Sequence, residues 1–371
     1  MNFNSRLEAI RKDMDAQGID LLLAFHDGVH FIEKQNAIMV LAGFKSMGEC
    51  VVALTRGGEG SLLVAPAWDA PRAADFAPHL KAIGTDDMLA ALASEVKRHG
   101  VPAERTAVVG LQWMAFGFER RARAFLGAVK AFDGPLFLQA RCKTDEELAR
   151  AQRATQIAEK GWENTLGFIR PGMREDELAV ELRWQMKALG AEDNFLMLSS
   201  DKHNYAVQPS SGRRFSSGDL IMGELTPSFE GQMSQICRTV SVGPASDTIR
   251  EGYALLVRAM ESGMKAARPG STMGDVCKAI NAVLEAKGYG EYCHPPHIRR
   301  RGHGLGFSCN HPGDVAPDNA MPLEPGMFFV LHPNQYLPET GYMMCGEPML
   351  ITPEGSRHLT QRTAFLAETP L

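Results

Sequence analysis

Residues 301–315, RGHGLGFSCNHPGDV, decide how the second half of the chain is interpreted. One histidine, His303, stands between glycines, and a second, His311, opens a His-Pro step further along. Glycine lets a backbone approach a ligand closely, and histidine can bind a metal or exchange a proton near neutral pH. The stretch therefore predicts that His303 lies in a functional site, and the surrounding segments must show which kind.

Strand and helix patterns alternate before residue 140. Apolar residues at helical spacing predict a helix over residues 6–17, and IDLLLAF at 19–25 predicts a buried strand. CVVALTR and GSLLVAP, separated by GGEG, predict a hairpin, and another buried strand is expected over 106–111. The alternation indicates a small α/β domain over residues 1–140.

The pattern changes after residue 141. Two long amphipathic helices are expected first, followed by strand-like segments and two more helices over 249–267 and 273–287. The strand-like segments are LIMGELTP, ICRTVSVGP, MFFVLHP and PMLITPEG. Helices over an antiparallel sheet are an α+β arrangement, which we assign to a second domain over residues 141–371.

Bulk properties exclude several classes of protein. The chain has 371 residues, 44% hydrophobic and 22% charged, with a net charge of −5, which is ordinary for a globular protein and unfavourable for a nucleic-acid partner. No apolar run is long enough to span a bilayer, so no membrane association is expected. The seven cysteines are scattered without a CxxC pair, which favours a reducing compartment, the cytoplasm.

Seven phrases in order give the second domain a family resemblance. They are KTDEELARAQRATQIAEKG, RPGMREDELA, SSGDLIMGELTPSFEGQMSQICRTV, RPGSTMGDVCKAI, RGHGLGFSCNHPGD, LEPGMFFVLHP and GEPMLITPEG. This series resembles the creatinase, prolidase and methionine aminopeptidase superfamily. The resemblance implies an α+β, pita-bread catalytic domain preceded by a smaller α/β creatinase-type N-terminal domain.

Prolidase-like members of that superfamily hold two divalent metals with two aspartates, a histidine and two glutamates. The resemblance places the aspartates on Glu224 and Gln235, the histidine on His303, and the glutamates on His332 and on Gly346. Only the histidine is unchanged. Two close dications need several carboxylates, so we expect no dinuclear metallo-aminopeptidase site.

Creatinase, a metal-free member, suggests the main hypothesis: a metal-independent hydrolase that cleaves a C–N bond of a small nitrogenous molecule, such as an amide, amidine or ureide. Acid-base chemistry by histidine and glutamate would need no cofactor. The expected catalytic residues are His303, Glu224, His332 and Glu347, and the expected substrate-binding residues are Gln235, His203, His311 and Arg238. Creatinase-like relatives also imply a homodimer with sites near the subunit interface.

Two alternatives remain open. Glu224, His303, His332 and Glu347 form a mixed set that could hold a single Zn, Fe or Mn ion in a hydrolase or lyase. The third possibility is a non-catalytic protein that binds a peptide or another ligand, because some superfamily members keep the fold after losing catalysis.

Overall fold

The computed structural model describes residues 2–32, 34–309 and 311–370. The chain forms two compact units, Met1–Asp145 and Glu146–Leu371. Our domain boundary at residue 141 stays a prediction. The two units are described separately below.

The first unit is built on a six-stranded mixed sheet. Its strands are β1 (Leu21–His26), β2 (Cys50–Thr55), β3 (Gly60–Val64), β4 (Lys81–Gly84), β5 (Thr106–Val109) and β6 (Lys130–Ala131). The sheet order is β4-β3-β2-β1-β5-β6. The predicted hairpin is present as the antiparallel pair β2 and β3, whereas β5 joins β1 in parallel.

Helices cover this sheet. They are α1 (Phe3–Ala16), α2 (Ala37–Ala42), α3 (Ala70–Phe76), α4 (Met88–His99), α5 (Phe116–Leu126) and α6 (Asp133–Gln139). Every residue of β1 is buried, as expected for a strand in the middle of a covered sheet. The helix predicted over residues 6–17 is confirmed as α1, and the first left-handed residue after it is Gly18, with φ 64°.

The second unit contains three sheets. Its strands are β7 (Asn194–Asp201), β8 (Leu220–Phe229), β9 (Gln232–Met233), β10 (Ile236–Ser241), β11 (Gly302–Gly304), β12 (Phe328–Leu331), β13 (Gln335–Leu337), β14 (Gly341–Met343), β15 (Glu347–Thr352), β16 (Gly355–His358) and β17 (Ala367–Glu368). One sheet runs β17-β10-β8-β7 with β9 beside β8, another runs β11-β12-β15-β16, and β13 pairs with β14. Only β17 pairs in parallel among these described strands.

The described part of the second unit contains four α-helices. They are α7 (Asp145–Leu166), α8 (Glu175–Ala188), α9 (Asp247–Ala266) and α10 (Met273–Glu285). Apolar side chains of α7 and α8, including Trp162 and Leu182, form one core with Leu198, Ile221 and Val240 of the first of these sheets. The fold is thus α+β, as the sequence predicts.

An isolated backbone bridge links the two larger sheets of this unit. Cys237 of β10 and Gly346, immediately before β15, exchange N–H···O bonds of 3.2 and 3.0 Å. The bridge places β10 of one sheet against the start of β15 of the other. The candidate site lies around this contact.

Two negative findings apply to the described residues. All seven cysteines are free thiols. Within the described ranges, no helix is both long and apolar enough to cross a membrane.

Candidate active site

The bridge at Gly346 brings together residues that are far apart in sequence. Cys237 pairs directly with Glu224 of β8, so their side chains share one face of the sheet. A Cβ atom placed on Gly346 would lie 2.9 Å from the Cβ of Cys237 and 3.0 Å from the Cβ of His332. Because residue 346 is a glycine, the side chains of Cys237 and His332 can occupy the space that a Cβ atom at this position would need.

His303 and His332 lie side by side. His303 sits in β11 and His332 follows β12, and these two strands are neighbours in the second of the larger sheets. Their ring centroids are 5.4 Å apart with an interplanar angle of 61°. The His332 N–H donates to the Arg301 carbonyl at 2.9 Å, which fixes the segment that carries this imidazole.

The glycines around His303 are required by close backbone contacts. A Cβ on Gly302 would lie 2.0 Å from the Val330 carbonyl oxygen, and one on Gly304 would lie 2.0 Å from the carbonyl carbon of His311. No side chain fits in either place. The GHG phrase therefore reflects dense backbone packing that holds the imidazole of His303.

Burial keeps both imidazoles neutral at neutral pH. Burial, and next the nearby Arg300 guanidinium, lower the pKa of His303 to about 4. The pKa of His332 falls well below its usual value, again through burial, with further contributions from His303 and Arg300. Neutral imidazole is the form that binds metals.

The hydrogen bonds of the two histidines differ. Nδ1 of His303 lies 3.1 Å from the Gly304 carbonyl oxygen, so it donates its proton there, and the Cys309 backbone also lies near this ring. Nδ1 of His332 is buried and has no hydrogen-bond partner in the described part of the chain. A buried, unsatisfied nitrogen is costly, and it is typical of a site that is completed by a ligand.

Glu224 is the one carboxylate among the site positions that has no protein partner. It makes no hydrogen bond or ion pair with any described residue. Burial raises the pKa of Glu224 to about 7, although Arg300 opposes the shift. The carboxyl group can therefore gain or lose a proton near neutral pH.

Gln235 occupies a buried position close to Cys237. Its Oε1 accepts a hydrogen bond of 3.1 Å from the Thr226 hydroxyl, and its Nε2 lies 3.8 Å from the Cys237 sulfur. This amide is neutral and its oxygen is already engaged. It is suited to orienting a neutral group rather than to compensating a cation.

Glu347 and Arg238 bind each other. Their charged groups form a buried ion pair with Nη2 3.0 Å from Oε1, and the Thr360 hydroxyl donates to the other carboxylate oxygen. Arg238 Nη1 also donates to the carbonyls of Gly346 and Cys237, at 2.7 and 3.0 Å. We expected Glu347 as a catalytic or metal-binding group and Arg238 as a substrate contact. Because each has its charge satisfied by the other, we leave both out of the proposed site.

Of the two remaining predicted histidines, His203 lies outside this cluster, whereas the backbone of His311 lies beside it. His203 follows β7 and places Nε2 3.0 Å from the Pro338 carbonyl, among the rings of Tyr205 and Tyr336. His311 lies with its backbone against Gly304. His203 is not joined by a described hydrogen bond to His303 or His332.

Sequence reasoning missed Tyr342, which follows the start of β14. Burial raises the pKa of its hydroxyl, and Cys237 and Glu224 add to the shift, so the ring lies beside the pocket. No local pattern marks it, because a lone tyrosine between Gly341 and two methionines has no recognisable motif. Its place depends on the pairing of β14 with β13, which sequence periodicity does not specify.

Comparisons with known proteins define the family. The family model of metallopeptidase family M24 matches residues 149–353, more than half of the chain, and the protein belongs to this family. An uncharacterized peptidase of Bacillus subtilis is 30% identical over 221 residues, which are 59% of this chain and 62% of that protein. A Xaa-Pro dipeptidase of Pyrococcus horikoshii is 24% identical over 365 residues, 96% of this chain and 97% of that protein.

Solved structures agree with the fold. A Xaa-Pro dipeptidase from Bacillus anthracis superposes with a TM-score of 0.83 at 24% identity, covering 99% of this chain and 100% of that one. A prolidase from Pyrococcus horikoshii superposes with a TM-score of 0.84 at 22% identity, covering 97% of this chain and 99% of that one. The resemblance to the creatinase, prolidase and methionine aminopeptidase superfamily, and the fold that it implies, are confirmed.

The same comparisons correct the main functional hypothesis. The matching family is one of metallopeptidases, and the named relatives are Xaa-Pro dipeptidases and prolidases. The expectation of a metal-independent, creatinase-like hydrolase is therefore wrong, and so is the expectation that no cofactor is used. Replacement of metal-ligand residues does not by itself show that all metal dependence is lost.

The residues present fit a metal site only in part. Five positions supply the family's two-metal set, and here Glu224, which replaces an aspartate, is the one carboxylate among them. In the described ranges, no three His, Cys, Asp or Glu side chains are gathered closely enough to hold an ion. One carboxylate gives two dications little charge compensation. One dication is a different case. The neutral imidazoles of His303 and His332, and the carboxylate of Glu224, are suitable types of donor for it.

Proposed function

We propose that this protein is a metal-dependent hydrolase that cleaves the C–N bond of a small peptide-like substrate, using one divalent cation. The substrate class is that of Xaa-Pro dipeptides, by which several relatives are named. The observation that carries the proposal is the pair of neutral imidazoles, 5.4 Å apart, with the unpartnered Nδ1 of His332. Glu224 would complete the set with His303 and His332, and cation binding would require these three side chains to move closer together than they are in the described structure.

A cation in this place would polarise the scissile carbonyl and lower the pKa of a bound water. The protein's own residues prepare the site for it. The Gly304 carbonyl holds the proton of His303 on Nδ1, which directs the Nε2 lone pair away from that carbonyl. Thr226 holds the oxygen of Gln235, which leaves an amide N–H to donate to a substrate carbonyl.

A single cation is supported by charge and by space. Gln235 and His332 are neutral where the resemblance implies carboxylates, and Gly346 has no side chain. The space that a side chain at 346 would need is closed by Cys237 and His332. Two dications facing Glu224 alone would repel each other with too little compensation.

Turnover after metal removal and return tests the function. The full chain is treated with a chelator, supplied separately with Mn²⁺, Zn²⁺ or Fe²⁺, and assayed for proline release from a panel of Xaa-Pro dipeptides. We expect release only with an added cation, loss of release in His303→Ala, and normal release in His203→Ala. Equal release from chelated and loaded protein would contradict the proposal.

One observation favours a second candidate, a non-catalytic protein that binds a dipeptide. Three of the five family ligand positions, 235, 332 and 346, have no carboxylate. Loaded protein that binds Xaa-Pro dipeptides in calorimetry but releases no proline from any of them would favour this candidate over the hydrolase.

The proposal extends to assembly and compartment. We propose a homodimer, as the superfamily resemblance implies, which sedimentation of the full chain would test. A reducing compartment, the cytoplasm, is supported by the seven free cysteines.

A further inference from the structure

A cleft in the second unit lies outside the candidate active site. It is bounded by α9, by the segment after α10 and by the turn that joins β13 to β14, and its volume is about 480 Å³. Glu224, His303 and His332 are not among the described residues that line it. Sites for small molecules have volumes of about 300–1,000 Å³. The cleft is therefore large enough for a ligand that the proposed function does not require.

One face of α9 forms a wall of the cleft. Glu251, Leu255 and Arg258 line it at intervals of four and three residues, which places them on the same side of the helix. Leu255 is buried, and so is Leu337 of the neighbouring hairpin, which also lines the cleft. A Cβ on Gly252 would lie 3.0 Å from Cδ1 of Leu337, so a glycine at this position lets the hairpin pack against the helix. The two buried leucines give the cleft an apolar base.

Charged side chains of both signs line the rest of the cleft. Two are cations, Arg258 and Lys287, and two are carboxylates, Glu251 and Glu339. The Glu339 carboxylate accepts a hydrogen bond of 3.2 Å from the Tyr289 hydroxyl. The side chains of Arg258, Lys287 and Glu251 are exposed and make no hydrogen bond or ion pair within the described ranges. Opposite charges thus share this cleft without neutralising each other.

The charge balance of the lining limits the kind of ligand. Two cations and two carboxylates leave no net charge, so neither a simple anion nor a simple cation is favoured. A ligand with one ammonium and one carboxylate matches both kinds of lining group, through charge-assisted hydrogen bonds at each end. The apolar base suits an apolar side chain between those ends.

The spacing of the charges indicates the length of the ligand. Glu251 and Arg258 are seven residues apart on α9, so their backbones are about 10 Å apart along the helix axis. An extended peptide spans about 3.3–3.6 Å per residue, so three residues cover a similar distance. In a free amino acid both charges lie on one residue, which matches this separation poorly.

We infer that this cleft binds a short peptide of about three residues, with free termini and an apolar central side chain. The peptide's ammonium lies at Glu251, its carboxylate at Arg258, and its central side chain on Leu255 and Leu337. This site is separate from the candidate active site and does not depend on the proposed function.

Calorimetry with alanyl-leucyl-alanine tests the inference. The full chain is treated with a chelator, so that no cation is available to the candidate active site. The free peptide is compared with its C-terminal amide and with its N-acetyl form. We expect each blocked form to bind about 10- to 100-fold more weakly than the free peptide, because each lacks one of the two charged groups.

Matched variants locate the bound peptide. Arg258→Gln should lose the preference for the free acid over the amide, because it removes the cation that the carboxylate contacts. Glu251→Gln should lose the preference for the free amine over the acetylated form. Lys265→Gln changes an exposed cation of the same helix that does not line the cleft, and it should bind the peptide as the native protein does.

His303→Ala separates the cleft from the candidate active site. This variant should keep the peptide affinity and both preferences, whether or not the native protein releases proline from dipeptides. The inference is overturned by binding that is unchanged in both Arg258→Gln and Glu251→Gln, or by binding that is lost in His303→Ala. It is also overturned if the native protein shows no binding up to about 10 mM peptide. Failure of the proposed hydrolase would change none of these outcomes.

Discussion

Two carboxylates flank the bridge between Cys237 and Gly346, the buried Glu347 and the half-buried Glu224, and they have opposite surroundings. Glu347 forms an ion pair with Arg238 through Oε1 and accepts a hydrogen bond from Thr360 at Oε2, so its charge is balanced, although Oε1 accepts no hydrogen bond from a described residue. Glu224 has no described partner, and burial raises its pKa to about 7. Residues of the same chemical type thus take different roles: the satisfied carboxylate stabilises the crossing of two sheets, and the unsatisfied one is available to a ligand.

The largest effect should come from removing the satisfied carboxylate. Glu347→Gln leaves the charge of Arg238 buried without an anion, which costs about 3–5 kcal/mol of the free energy of unfolding. Urea unfolding of chelator-treated protein measures this loss. Glu224→Gln is the matched control and should be neutral or stabilising, since it removes a buried charge that has no partner. Equal losses in the two variants would erase the distinction between the carboxylates.

Cation affinity tests whether the two pocket histidines bind the ligand that Glu224 is available to bind. His303→Ala and His332→Ala should each weaken Mn²⁺ or Zn²⁺ binding by more than about 100-fold, because even loss of an outer partner of a ligand costs about 10- to 100-fold. His203→Ala changes a histidine outside the cluster and should leave affinity unchanged. Calorimetric titration gives these affinities. Full affinity in His332→Ala would remove that residue from the site.

Much of the fold was predictable, because it depends on local patterns. Helical spacing indicated α1, and turn residues between two apolar runs indicated the hairpin of β2 and β3. His303 was recognised because glycines flank it, and the structure explains them by backbone contacts at 302 and 304.

The site was predictable only in part, because its geometry depends on long-range strand pairing. Nothing local shows that Arg238 reaches Glu347, or that position 346 faces Cys237. Adjacent residues of an extended strand point to opposite faces, so Glu347 does not take the place of a ligand at position 346. The sequence alone, in which Glu347 follows position 346 directly, does not show this difference. Metal dependence came from the family comparison, since substituted ligands alone cannot distinguish a reduced metal site from a lost one.

The pH dependence of stability provides a test of Glu224 itself. Its folded pKa, about 7, lies above the usual carboxyl value, so the folded state holds the proton more tightly than the unfolded state does. This stabilisation is complete at low pH and is lost as pH rises between about 5 and 7. The buried histidines act in the opposite sense, losing stability as pH falls, because their folded pKa values are lowered.

Comparing Glu224→Gln with the native protein separates the contribution of Glu224 from that of the histidines. The stability of chelator-treated Glu224→Gln relative to the native protein should increase by about 2 kcal/mol over that pH range, because the variant lacks the group that loses its proton. Urea unfolding at several pH values measures the difference. A constant difference would mean that Glu224 has an ordinary pKa.

The smallest effect concerns the space at Gly346. Gly346→Ala places a Cβ within 3.0 Å of Cys237 and His332, so a neighbour must move, at a cost of about 1–3 kcal/mol in unfolding free energy. Displacement of His332 should also reduce cation affinity. Gly212→Ala is the control, because nothing lies within 4 Å of its added Cβ. If Gly346→Ala kept the unfolding free energy and the cation affinity of the native protein, the space between Cys237 and His332 would not be closed to a side chain.

The number of cations bound per chain tests the central claim most directly. The untagged full chain is stripped with a chelator, dialysed to equilibrium against Mn²⁺ or Zn²⁺, and analysed for metal beside His303→Ala and His332→Ala. We predict one ion per native chain and less than a tenth of that, about 0.1, in either variant at the same free cation concentration. Two ions per native chain, or none, would contradict a single-cation site formed by Glu224, His303 and His332.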